Sequence, residues 1–183
     1  MKTARQSIKS INRLAVVGLL AALTSTLFAG KNNEGQPSEQ DAALDRTRKT
    51  VQMLDDVYKT AVVLITDKYV QDENDFPAGS AAIALFDAIK KKGWHDVRLL
   101  DATGDPSEAK NVAQDDFERE AIKQLLSGKT YYDQVEQRQN ERYLRAATAI
   151  PVVHKKCVMC HDAYKEAKEG QAVGALSYTL RIE

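Results

Sequence analysis

Cysteine is scarce in this 183-residue chain, which carries only Cys157 and Cys160. There is no second Cys-x-x-Cys pair, and this excludes the four-thiolate zinc site that two such pairs would build. Histidine is nearly as rare, with three residues. No acid precedes Glu34, and no repeat or low-complexity block occurs. The sequence offers no glycine-rich phosphate loop, no nucleophile beside a base and no metal-ligand set away from the cysteines. Basic and acidic residues balance at 26 each, so the electrostatic footprint of a nucleic-acid binder is missing.

What is present begins with Lys2, Arg5, Lys9 and Arg13, followed by an uncharged stretch from Leu14 to Gly30. Its apolar core reads as a secretory signal, and the run is short for a membrane span. The segment Leu27-Phe28-Ala29 places a large residue where a small-x-small cleavage site wants a small one, so an uncleaved membrane anchor stays open beside a cleaved leader. Removal of residues 1–30 takes four basic residues and no acids, leaving 22 basic against 26 acidic and a charge of −4. Residues 31–40 read as a linker and 41–183 as one domain, large enough for a single core. The expected location is the periplasm or another exported compartment.

The most informative stretch is Cys157-Val158-Met159-Cys160-His161. Cys-x-x-Cys-His is the attachment signature of a c-type haem, in which both thiols add to haem vinyl groups and the next imidazole binds iron. The alternatives are a redox-active or disulfide pair and half of a zinc site. Export would bring the chain to a compartment suited to haem attachment. A thioredoxin-like pair would follow an early strand and open a long helix, whereas this pair lies near the C-terminus. The expected cofactor is therefore one covalent haem c.

Around the motif the pattern is mixed. Ser38, three residues before Asp41, caps a helix whose Val51, Leu54, Tyr58, Ala61, Ile65 and Tyr69 form one stripe, predicting a helix to about residue 72. That stripe suits packing on a core, and its heptad-like spacing also admits a homodimer seam. A second helix is expected over 77–92, ended by Gly93, then a short strand over 94–101 and a third helix capped by Asp115 and ended by Gly128. Extended segments over 130–137 and 142–153 are joined by a turn at 138–141, and Leu176, Tyr178, Leu180 and Ile182 alternate as a last strand. An all-α cytochrome would not place its motif between two strands. The expected class is α+β, with an antiparallel sheet, a long N-terminal helix and the attachment helix before the final strand.

The ordered residues Ala81-Ala82-Ile83, Val97-Arg98-Leu99-Leu100-Asp101-Ala102-Thr103-Gly104-Asp105-Pro106, Asn111-Val112-Ala113, Phe117-Glu118, Tyr143-Leu144-Arg145-Ala146-Ala147, Pro151-Val152-Val153, the motif and Gly174-Ala175-Leu176-Ser177 resemble a family of exported single-haem proteins known as a domain of unknown function. The resemblance covers about residues 50–183. It implies a PAS-like fold, thioether anchors at Cys157 and Cys160, His161 as proximal iron ligand, and a role in redox or small-ligand sensing. Some members place a cysteine on the helix bearing the Ala-Ala-Ile segment as sixth ligand. Here the neighbourhood reads Ala84-Leu85-Phe86 and no third cysteine exists, so a distal thiolate is excluded.

Met53, His95 and His154 are the remaining candidates for the sixth position, each with a plainer reading as packing, an exposed ring or a tethered neighbour of the motif. Water or no sixth ligand, under an apolar lid that includes Phe86, is favoured and would admit a diatomic ligand. Arg142, Arg145, Lys155 and Lys156 could pair with haem propionates, and Arg145 in its apolar strand is the chosen candidate. Tyr131, Tyr132 and Tyr143 could wall the haem or simply pack. Three function classes follow. The first is a sensor acting through an unidentified signalling or redox partner, the second an electron-transfer cytochrome, and the third a peroxidase-like enzyme, for which no distal acid-base pair can be picked out.

Overall fold

A computed structural model describes residues 38–183. The expected leader or anchor and most of the linker lie outside these residues. Among the described residues no helix is long and apolar enough to cross a membrane.

Helix α1 spans Glu39–Tyr69, and its Ser38 cap accepts from the Asp41 amide at 3.2 Å. It stops three residues short of the expected end because Val70 turns extended and the Asp75 carboxylate takes the Gln71 amide at 2.5 Å and the Asp72 amide at 3.1 Å. Helix α2 spans Ala78–Lys91 and ends at Gly93, whose φ of +77° a side chain would strain. Strand β1 follows as Asp96–Asp101. Asp115 caps helix α3, Asp116–Leu126, by accepting from the Glu118 amide at 2.8 Å. The hairpin is β2, Tyr131–Arg138, and β3, Glu141–Pro151, one or two residues from the expected bounds. One helical turn, α4, holds Cys157–Cys160, and β4 is Ala172–Arg181.

The four strands pair antiparallel in the order β1-β4-β3-β2. The last strand in sequence therefore sits inside the sheet, and the attachment turn is the connection from β3 into it. The architecture is α+β, consistent with a PAS-like fold. Alternation in β4 predicts burial on one face, yet Ala172 to Tyr178 are all buried. The reason is that both faces are covered. Val51 and Tyr58 of α1 and Ala82 and Phe86 of α2 pack with Leu176, Tyr178 and Leu180 on one side. Phe117, Ala121 and Leu125 of α3 pack with Leu100, Ala147 and Ala175 on the other.

The α1 stripe named from the sequence thus faces the sheet, with Val51 and Tyr58 buried and Leu54 packed against the core. This is the packing alternative. A seam through the same stripe would have to give up these contacts; of the stripe only Tyr69, at the end of α1, is exposed, together with Met53, Val57 and Leu64 outside it. Strands β1 and β4 approach closely at Gly174, where an added Cβ would lie 2.9 Å from the Leu100 carbonyl oxygen.

Candidate haem-attachment site

The antiparallel order brings the C-terminal ends of β1 and β3 to the same edge of the sheet as the start of β4. The motif segment leaves β3 there and is tied on two sides. On one side the Lys156 ammonium donates to the carbonyls of Asp67 at 2.9 Å, Val70 at 2.7 Å and Thr66 at 3.4 Å, part-buried acceptors at the end of α1. A cation there satisfies orphan carbonyls and complements the helix dipole. His154 reinforces the tie. Its Nε2 lies 3.6 Å from the Asp67 carboxylate, and its Nδ1 accepts from the Lys156 amide at 3.1 Å.

On the other side is the loop that follows β1. Its Asp101 carboxylate accepts from the Thr103 hydroxyl and the Gly104 amide, each at 2.7 Å. Gly104 sits at φ +86°, the left-handed turn that glycine tolerates. Farther along, the Arg98 guanidinium grips the carbonyls of Lys110 at 2.8 Å and Val112 at 3.2 Å and pairs with Glu118. Between these two pinned stretches the Ser107 hydroxyl lies 3.0 Å from His161 Nδ1.

The two thiols are unpaired, Cys157 half-buried and Cys160 exposed, at the two ends of the α4 turn. The His161 ring stacks on Tyr164 with centroids 4.4 Å apart and planes 23° from parallel. Burial holds its pKa below the usual value of 6.5 against the opposing Asp101 carboxylate. A neutral imidazole is the form that binds a metal. Its Nδ1 is occupied by Ser107, and among the described residues no polar partner meets Nε2. Nor does any group of three or more His, Cys, Asp and Glu side chains among these residues have an arrangement that could hold a metal ion. Two free thiols and one oriented imidazole are a poor zinc site and fit a group that needs two sulfur anchors and one protein nitrogen.

The other residues singled out from the sequence lie elsewhere. Arg145 points onto the α3 face, where Asp115 at 2.9 Å, Glu136 at 3.2 Å and Glu118 at 3.9 Å surround its guanidinium. Its plane covers the Phe117 ring at 4.4 Å, and its Nε has no partner. Protein carboxylates thus balance this charge. The structure does not bring Arg145 to the motif. Arg142 contacts the Gln40 carbonyl at 3.5 Å, and Lys155 is exposed. Burial raises the pKa of Asp115, but bonds from Arg145 and the Glu118 amide outweigh it and leave the carboxyl below its usual 3.8.

Of the named sixth-ligand candidates, Met53 and His95 are not delivered to the motif. Met53 is 59% exposed and lies 13 residues before Thr66 on α1, roughly 20 Å along the helix. His95 stands at the start of β1, at the far end of that strand from Asp101, and its Nε2 bonds the Tyr58 hydroxyl at 2.8 Å. His154 lies in the motif segment itself, three residues before Cys157, and its Nδ1 is taken by the Lys156 amide. Phe86 is a core residue, 3% exposed and 5.1 Å from Tyr58 between ring centroids, so it is not a lid. The tyrosines pack or bond within the sheet, Tyr132 stacking on Phe117 and Tyr131 donating to Asp133.

Two positions at the site escape sequence reasoning. Ser107 is 54 residues from its partner, and a serine in a turn-rich loop gives no signal. Tyr164 looks like an ordinary neighbour of the motif until the fold stacks it on His161. Lys156, a propionate candidate from the sequence, is bonded instead to the end of α1. Comparison with curated proteins finds no match for the chain. The family model described as Tll0287-like, Tll0287, matches residues 34–178, a span that includes the motif and most of β4, and the chain therefore belongs to the Tll0287-like family.

Proposed function

We propose that this chain is an exported protein that carries one haem c on Cys157, Cys160 and His161 and senses redox state or a small ligand for a protein partner. The observation that carries the reading is the state of His161. Its Nδ1 is taken by Ser107, its ring is stacked on Tyr164, its Nε2 meets no polar partner among the described residues, and both thiols of the motif are unpaired. Each thiol would add its sulfur and hydrogen across one vinyl group, leaving two thioethers and no net redox change in the protein. Haem held there supplies a one-electron couple and a coordination position at iron.

The chain's own residues do the rest. His161 supplies the proximal nitrogen, and Tyr164 and Ser107 fix its orientation. Lys156 joins the motif to the last turn of α1, so a shift of the attachment turn is felt by the 31-residue helix. The sensing reading is supported by Met53 and His95, which stay away from the motif, and by His154, whose Nδ1 is already taken by the Lys156 amide. Export is supported by the basic start and the uncharged run over 14–30. Electron transfer is the second reading, favoured by one feature: no residue from Val152 to Gln171 is buried, which puts the attachment turn at the surface, where a haem edge could exchange electrons.

Absorption spectra of the ferric and ferrous protein with and without carbon monoxide separate the two. Rapid formation of a carbon monoxide complex is expected. A low-spin spectrum that carbon monoxide leaves unchanged would overturn sensing in favour of electron transfer.

A further inference from the structure

On the reading that His161 is the iron ligand, we propose that Ser107 is the positioning residue that fixes the tautomer and donor strength of that ligand. The two side chains are 54 residues apart in sequence, one in the loop after β1 and one after α4, and meet at 3.0 Å. A hydroxyl can accept from Nδ1–H or donate to a bare Nδ1. The second arrangement puts the ring proton on Nε2 and blocks it. Metal binding at Nε2 therefore selects the first, with Ser107 as acceptor.

Ser107 is exposed, and the loop that carries it is held on both sides. Residues 101–104 are pinned by the Asp101 carboxylate and residues 110–112 by Arg98, which itself pairs with the buried Glu118. The clamp on the ring thus belongs to the sheet and α3, while the ring belongs to the motif segment. An acceptor at Nδ1–H pushes electron density into the imidazole and favours ferric over ferrous iron. A serine oxygen, weaker than a carboxylate, sets that bias at a modest level.

The test compares the full haem-loaded chain with its Ser107→Ala and Ser107→Thr variants in equilibrium redox titrations followed at the Soret band. Ser107→Ala is expected to raise the ferrous-to-ferric ratio at a fixed potential by about three- to tenfold, tenfold being about 59 mV for one electron. It should also lower the iron–imidazole stretching frequency in the resonance Raman spectrum. Ser107→Thr keeps the oxygen and should stay within about twofold of the wild type. A merely structural role for Ser107 would lower stability and leave the potential where it is. An unmoved potential in Ser107→Ala, or an equal shift in Ser107→Thr, overturns the proposal. Absence of any Soret band in the wild type sinks the haem reading together with it, whereas a normal band with an unmoved potential sinks the Ser107 role alone.

Discussion

Strand β4 and the twenty residues before it follow one another in sequence and share almost nothing in construction. Ala172 to Tyr178 are all buried, and no residue from Val152 to Gln171 is. β4 is paired on both sides and covered on both faces. The preceding segment hangs instead on polar ties at Lys156, His154 and His161. The strand spends its apolar side chains inside the protein, while Val152, Val153, Val158 and Met159 stay partly or largely exposed. On the proposed reading those side chains and the Tyr164 ring belong against a porphyrin. Fold and chemistry are thus separable, one carried by the sheet and the other by the connection into it.

The strongest test of that separation is Cys157→Ser with Cys160→Ser. Complete loss of covalent haem is expected by intact mass, with folding free energy only about 0.5 kcal/mol from that of the haem-free wild-type chain, as for other surface substitutions. Collapse of the sheet in this variant would break the comparison. Arg145→Ala should do the reverse. It leaves Asp115, Glu118 and Glu136 without their shared cation, at a cost of roughly 3–5 kcal/mol in urea unfolding. The folded fraction should still take up haem.

Gly174→Ala should cost roughly 1–3 kcal/mol, because its Cβ meets the Leu100 carbonyl and neither strand can move aside without disturbing the register. Lys156→Met removes the cap from the end of α1, and its global effect should stay under about 2 kcal/mol. Faster amide exchange confined to the last turn of α1 and the motif segment is the sharper readout. Exchange spreading evenly through β4 would show that the two regions are not separate.

The smallest effect concerns pH. Asp115 has a folded pKa below its ordinary 3.8, so its stabilising effect is fully present above about pH 4 and is lost as pH falls through the lower folded value. Asp115→Asn, which keeps the capping oxygen, should flatten the fall in urea midpoint between pH 4 and 3 relative to wild type. An unchanged slope would remove Asp115 from the acid response.

Local signals made much of the fold legible. The Ser38 and Asp115 caps, the terminating Gly93 and Gly128, and the tight hairpin at Gln139 and Asn140 all act within a few residues of the chain. What stayed hidden depends on distant pairing. Insertion of β4 between β1 and β3 is invisible to alternation, so its two-sided burial was not expected. Arg145 in an apolar strand rightly signalled a need for anions, but Asp115 lies 30 residues away and only the packing of α3 brings it near. The motif itself named the two thiols and the imidazole, while their support from Ser107, Lys156 and Tyr164 emerges only once β1, α1 and the attachment turn meet at one edge.

The decisive measurement is the intact mass and absorbance of the polypeptide, matured in a host able to assemble c-type cytochromes and then extracted with acidic organic solvent. A polypeptide heavier by one haem, with the Soret absorbance still on it, is the expected result. A mass equal to the polypeptide alone, with no Soret absorbance retained, would contradict it.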